Sequence, residues 1–276
     1  MGPLVSLNMR PKPVGPVRAA IAAVVTSLVL VVASRASAGE DVIRETVHVE
    51  LPAGAADVDV YRPLSATPTP MVIVVHGFSR HRHHMSGWGR HLAMEGMVAV
   101  VPDLPTWSDH ARNGRFLSEL RARLLGDEAL TRHVDPARVG LLGFSAGGLS
   151  SLLSAADAPG VTIWVGLDPV DRDGLGVRAA TRVRSRAVVL TAGPSECNAR
   201  GNARDLVAAL PGREHFGIAG AVHVDAEWPT SWLAELVCGR STNDKRIEFQ
   251  VRATAVLKEA FAMPATDDER QTPAKR

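Results

Sequence analysis

The sequence predicts an α/β protein: a mostly parallel β-sheet with helices on both faces and an antiparallel start. Three observations point there. Residues 71–75, 97–101, 138–142, 161–167 and 186–191 are short, continuous, aliphatic runs, as expected of strands buried on both faces. Segments with helical spacing separate them, the order that builds parallel sheets through crossover helices. Finally, Gly143-Phe144-Ser145-Ala146-Gly147-Gly148 stands between one of these strands and a helix-favouring stretch at 149–156, which reads as strand, sharp turn and helix.

Taken in order, residues 42–51 alternate, with Val42, Arg44, Thr46 and His48 set against Ile43, Val47 and Val49, which predicts a half-exposed strand. Residues 58–61 read as its hairpin partner, ending at Arg62-Pro63, and 65–70 with its prolines reads as a surface connection. The buried strand 71–75 ends in His76-Gly77-Phe78, followed by a helix at 86–95 and a strand at 97–101 stopped by Pro102. Leu117, Leu120, Leu124 and Leu125 give helical spacing within 114–133. After the strand 138–142 and the serine turn come a strand at 161–167 ending in Asp168-Pro169 and another at 186–191 ending in Ala192-Gly193-Pro194. A helix at 199–210, a short strand at 214–218, a loop carrying His223, and helices at 231–237 and 247–261 complete the chain.

Sites in such folds lie at the carboxyl ends of the strands. Those ends carry Ser145, Asp168, Glu196 and the loop of His223. A serine hydroxyl needs a base within hydrogen-bond reach to act as a nucleophile, and His223 is the candidate base. The base needs an acid to hold its tautomer: Asp168, at its strand end beside Pro169, is favoured, and Glu196 is the alternative. The oxyanion donors expected are the backbone N–H of Ala146, next after the serine, and that of Phe78, after the 71–75 strand. His76 is read as a loop hydrogen-bonding residue, and Asp171 and Asp173 as solvated carboxylates. Trp88, Trp107 and Trp228 fall near the active edge as pocket candidates, whereas Trp164 and Trp232 fall inside predicted elements and are read as core. The tract Arg80-His81-Arg82-His83-His84 reads as a hydrated basic loop; no acidic partner stands at ligand spacing, so neither a metal nor another cofactor is expected.

Composition sets the address. The 276 residues are 46% hydrophobic and 22% charged, ordinary for a globular domain, with only 4% aromatic residues. Arg10, Lys12 and Arg18 precede an uncharged run at 19–33, and Ala36-Ser37-Ala38 supplies a small-x-small cleavage pattern. Residues 1–38 therefore read as a cleaved export signal, 39–263 as one α/β domain and 264–276 as a polar tail, placing the protein outside the cytoplasm. The signal removes four of the 31 basic residues and none of the 29 acidic ones, leaving a net charge of −2. Nothing in that balance argues for a nucleic-acid partner, and the mature chain offers no membrane-spanning segment. The only cysteines, Cys197 and Cys238, are expected to form one disulfide in an oxidising compartment.

The combination of His76-Gly77-Phe78, the 143–148 turn, Val165-Gly166-Leu167-Asp168-Pro169-Val170-Asp171, Gly220-Ala221-Val222-His223-Val224-Asp225 and Cys238-Gly239 resembles the α/β-hydrolase superfamily, whose triads run Ser, Asp, His along the chain. Within it the chain looks like the chlorophyllase-like and bacterial polyester-hydrolase-like serine esterases, over about 42–262. The resemblance implies Asp168 as the triad acid and hydrolysis of a small-molecule, lipid or polymer ester through an acyl-enzyme. The turn reads Phe-Ser-Ala where plant chlorophyllases are similar to His-Ser-Arg, which argues against chlorophyll. A lipase or polyester hydrolase and an acyltransferase are alternatives on the same triad; a non-catalytic hydrolase-fold binding module is the alternative from another class.

Overall fold

The computed structural model describes residues 42–65, 67–128 and 132–262; the expected export signal and polar tail lie outside them. β1 (Val42–Leu51) and β2 (Gly54–Pro63) form the antiparallel hairpin, with Leu51 opposite Gly54. β2 pairs antiparallel with β4 (Val98–Pro102). The remaining neighbours are parallel: β3 (Thr69–Val75), β5 (Val134–Phe144), β6 (Ile163–Leu167), β7 (Arg186–Thr191) and β8 (Glu214–Gly217). Among the described residues these eight strands make one sheet in the order β1-β2-β4-β3-β5-β6-β7-β8. The architecture is the α/β-hydrolase one that the sequence predicts.

The aliphatic runs divide between two core layers because successive side chains point to opposite faces. Val72 and Val74 of β3, Leu142 and Phe144 of β5, and Val188 and Leu190 of β7 meet α1 (Ser86–Met94) on one face. Met71, Ile73 and Val75, with Leu141 and Val189, meet α2 (His110–Leu125) and α3 (Ala146–Asp157) on the other. Trp164 is core, as expected, and its indole N–H donates to Ser151 Oγ of α3 at 2.9 Å, so its polar edge is satisfied where it is buried.

α2 begins four residues earlier than the leucine spacing predicts because Asp109 caps it, accepting from the N–H of Arg112 at 2.9 Å; it ends at Leu125, before Gly126. α4 (Leu175–Ala180) is not legible as a helix in the sequence. Its start is held by Asp171, whose carboxylate accepts from the N–H of Gly176 at 2.6 Å and of Val177 at 3.3 Å. Asp171 is thus buried and engaged, not solvated: a short helix with its amino end turned inward needs an acceptor for its free N–H groups. α5 (Ala203–Ala209) follows β7, α6 (Trp232–Cys238) follows the His223 loop, and α7 (Asn243–Ala262) packs Phe249, Leu257 and Phe261 onto the α1 face.

Trp232 does not enter the core. It is 72% exposed, and with Leu233, Leu236 and Val237 it faces outward, because α6 turns only Ala234 inward. Core packing therefore contributes little to holding this helix. The expected disulfide is present: Cys197, in the turn Glu196–Asn198, is bonded to Cys238 at the end of α6, with the Cα atoms 5.6 Å apart. Replacing both cysteines by serine is expected to lower unfolding free energy by about 3–4 kcal/mol, the loop-entropy value for a closure of this length. Urea denaturation of the oxidised protein and the double variant checks this; a difference below about 1 kcal/mol would show that the bridge does not constrain the unfolded chain.

Candidate active site

The site begins at the end of β5. Ser145 has φ 53° and ψ −124°, a conformation that costs a non-glycine residue on the order of 1–3 kcal/mol. Backbone bonds over-determine it: Ser145 N–H donates to Leu167 O at 3.0 Å, and Ser145 O accepts from the N–H of Gly148 and of Val170. The flanking glycines are a matter of space. A Cβ at Gly143 would lie 2.3 Å from Ser151 Oγ, and one at Gly147 would lie 2.2 Å from His76 O. The turn is therefore wedged against the end of β3, which brings Ser145 beside the His76-Gly77-Phe78 segment.

His223 opens a 3-10 turn, His223–Ala226, and its ring lies 4.7 Å from that of Phe144. Its Nε2 is 3.0 Å from Ser145 Oγ and its Nδ1 is 2.6 Å from Asp168 Oδ2. With Nδ1–H donating to the carboxylate, Nε2 is left with a lone pair that accepts from the serine hydroxyl. Ser145, His223 and Asp168 are all buried. Asp168 Oδ1 accepts from Ala192 N–H at 3.1 Å, and Oδ2 accepts a second bond from Asn198 Nδ2 at 3.0 Å. Glu196 is not brought in: its side chain is 81% exposed and pairs with Arg200, because the turn that buries Asn198 points Glu196 outward.

Phe78 and Ala146, the expected oxyanion donors, line one cleft together with His76, Trp107, His110 and Ser150. His76 is buried, with Nδ1–H donating to Gly77 O at 2.9 Å and Nε2 accepting from Leu104 N–H at 3.0 Å, the loop role expected of it. Burial holds its imidazole below the ordinary histidine pKa, and the bond at Nε2 requires the neutral ring. Of the three pocket tryptophans, Trp107 is exposed on this rim. Trp88 is not a pocket residue: it is fully buried in α1 and donates its indole N–H to Ala226 O, under the His223 turn. Trp228 packs over Gly87, where a Cβ would meet its indole, and against the core.

The basic tract is hydrated only in part: His81 and His83 are exposed, whereas both of its arginines are pinned by acids. Arg82 contacts Asp103 and the buried Asp59, which also accepts from Arg44 at 2.9 Å and Thr46 at 2.7 Å. Arg80 Nε reaches both carboxylate oxygens of Glu227 at 3.0 and 2.9 Å. Glu227 is fully buried four residues after His223, so this pair ties the loop after β3 to the loop of the histidine. Nothing in the local sequence marks Glu227 or Asn198 for these roles; their partners are 147 and 30 residues away. Among the described residues no group of three or more His, Cys, Asp or Glu side chains converges as a metal site, and no helix is long and apolar enough to cross a membrane.

The chain is similar to known proteins. The PET hydrolase-like (PETase) family matches residues 30–193, more than half of the chain. Bis(hydroxyethyl) terephthalate hydrolase of Streptomyces coelicolor is 24% identical over 193 residues, which are 64% of this chain and 61% of that protein. The matched stretch thus spans less than two thirds of that relative's length. In fold the chain is similar to dienelactone hydrolase from Anabaena variabilis, with a TM-score of 0.61 and 19% identity over 80% of this chain and 97% of that one.

Burial pushes the Glu227 carboxyl above the ordinary carboxylate pKa, and Arg80 pulls it back. Arg80→Met should therefore destabilise the protein by about 3–5 kcal/mol at pH 8, where an uncompensated buried charge remains. A carboxyl whose folded pKa is raised gives stability that is present below its unfolded pKa and lost as pH rises through the folded value, so the defect should shrink at pH 5. Denaturation at the two pH values reads it; an equal defect at both would count against the clamp.

Proposed function

Because the chain belongs to the PET hydrolase-like family, we propose that it is an exported serine hydrolase that cleaves carboxylic esters through an acyl-enzyme. The observation that carries this reading is the continuous contact from Ser145 Oγ through His223 to Asp168, at 3.0 and 2.6 Å. In the proposed mechanism His223 Nε2 takes the hydroxyl proton as Ser145 Oγ attacks the ester carbonyl. Asp168 stays ionised and stabilises the imidazolium that forms. The developing oxyanion is held by the N–H groups of Phe78 and Ala146, each worth roughly 2.7–4 kcal/mol of barrier in comparable sites. Collapse of the tetrahedral intermediate expels the alcohol, which leaves with the proton from Nε2. Water then enters, gives a proton to His223 and releases the acid by the same steps in reverse.

The substrate class we propose is an ester of an aromatic dicarboxylic acid with a small diol, following the terephthalate diester named for the Streptomyces relative. A polymeric ester is the second reading, favoured by exposed Trp107 and Phe78 on the rim of the cleft, where flat aromatic groups can stack without entering a deep pocket. Export is supported by the formed disulfide, which an oxidising compartment preserves.

An ester panel on the mature chain, containing bis(hydroxyethyl) terephthalate, p-nitrophenyl acyl esters, triglyceride and polyester film, tests the substrate class by product chromatography. Ser145→Ala should lose at least ~10⁴-fold in kcat on every ester turned over. Asp168→Asn should lose about 10³–10⁴-fold, whereas Glu196→Gln should stay within about twofold of the parent. Full activity in the Ser145→Ala protein would sink the mechanism.

A further inference from the structure

The side chain of Asn198 has no assigned part in the reaction, yet it is the most completely bonded polar group near the site. It is 1% exposed. Its two amide hydrogens go to Asp168 Oδ2 at 3.0 Å and Gly193 O at 2.9 Å, and its Oδ1 accepts from the N–H of Ser195 at 2.8 Å and of Gly201 at 3.0 Å. These four partners fix the orientation of the amide. Turned over, it would set oxygen against a carboxylate and a carbonyl, and nitrogen against two N–H donors.

The bond to Asp168 falls on Oδ2, the same oxygen that accepts from His223 Nδ1, while Oδ1 is held by Ala192 N–H. Without Asn198 the oxygen facing the histidine would have only the histidine to orient it. The carrier of Asn198 is anchored as well. The next residue back, Cys197, is bonded to Cys238 of α6, and α6 packs both on this turn and on the turn that begins with His223. The holder of the acid and the carrier of the base are therefore joined through one short helix.

We propose that Asn198 is the positioning residue of the triad acid: its amide, delivered from the loop after β7, sets the plane of the Asp168 carboxylate for His223. This rests on the serine-hydrolase reading above. An alanine at 198 would remove the donor to Asp168, and with it the acceptor for Ser195 and Gly201, without adding a charge. Glu227, an acid coupled to His223, stays engaged by Arg80 and is untouched by that change.

The test is Asn198→Ala, read in two ways. In the Ser145→Ala background, the low-field proton of His223 Nδ1–H is followed by NMR; with the Asp168 carboxylate no longer held in plane, its resonance should move upfield as that bond weakens. In the active background kcat should fall about 10–100-fold with KM within about twofold, the pattern of an interaction that matters in the transition state. A merely structural asparagine would lower the melting temperature and leave the Nδ1–H resonance in place, and an unmoved resonance overturns the proposal whatever the rate does. If the alanine unfolds the turn, Asn198→Ser, which keeps a short hydrogen-bonding side chain, is judged by the same resonance, with a smaller upfield move expected. Ser145→Ala and Asp168→Asn in the same assay keep the two readings apart. Full activity in either defeats the triad itself, whereas loss in both with an unmoved resonance in the Asn198 variant defeats only the positioning role.

Discussion

A carboxylate as deeply buried as that of Asp168 is tolerated only if its oxygens are supplied with donors, since an ionised group taken out of water and left unpaired costs several kcal/mol. Here the donors come from three separate elements: the backbone after β7, the turn Glu196–Asn198 and the turn that begins with His223. Meeting that one requirement holds together the loops after β6, β7 and β8 at the edge where Ser145 stands. The outer architecture reads as a set of anchors for these loops. The disulfide holds the Asn198 turn, the Arg80–Glu227 pair holds the histidine loop against the segment after β3, and the wedged glycines hold the serine turn.

These anchors differ in physical kind. The glycines act through exclusion, because a single Cβ would collide with backbone 2.2–2.5 Å away. The Arg80–Glu227 clamp acts through charge, and its strength depends on burial, which makes the pair costly to break from one side. The disulfide acts chiefly on the unfolded chain, and so can support a helix such as α6 that has only Ala234 in the interior. Positioning three loops to fractions of an ångström asks for all three means, because loops lack the repeating hydrogen bonds that make strands and helices rigid.

Much of the fold was legible because its signals are local. Continuous aliphatic runs bounded by proline or glycine became the central strands, and the alternation in residues 42–51 became the edge hairpin. Ser145 was legible from flanking glycines, and His223 and Asp168 from their places at strand ends. The misreadings share a cause. Trp88, expected at the pocket, is core, and Trp232, expected in the core, is exposed, because hydrophobicity does not say which way a helix face turns. Asp171, Arg80 and Arg82 were judged by their neighbours in sequence, whereas the bonds that decide their roles come from residues far along the chain or from a helix that is too short to leave a periodic signal.

By itself, then, the sequence determined the order of the strands and of every helix but α4, the strained serine turn with the space it needs, the cysteine pair, and a short list of acids and bases at the strand ends. Those follow from the intrinsic preferences of neighbouring residues and from hydrophobic periodicity. Only the tertiary structure decided which acid faces His223, that Asn198 holds it, and that Arg80 and Glu227 brace the loops around it. The physical reason is that hydrogen bonds and ion pairs are short-ranged in space but not in sequence, so their partners exist only once the sheet has brought the strand ends to one edge.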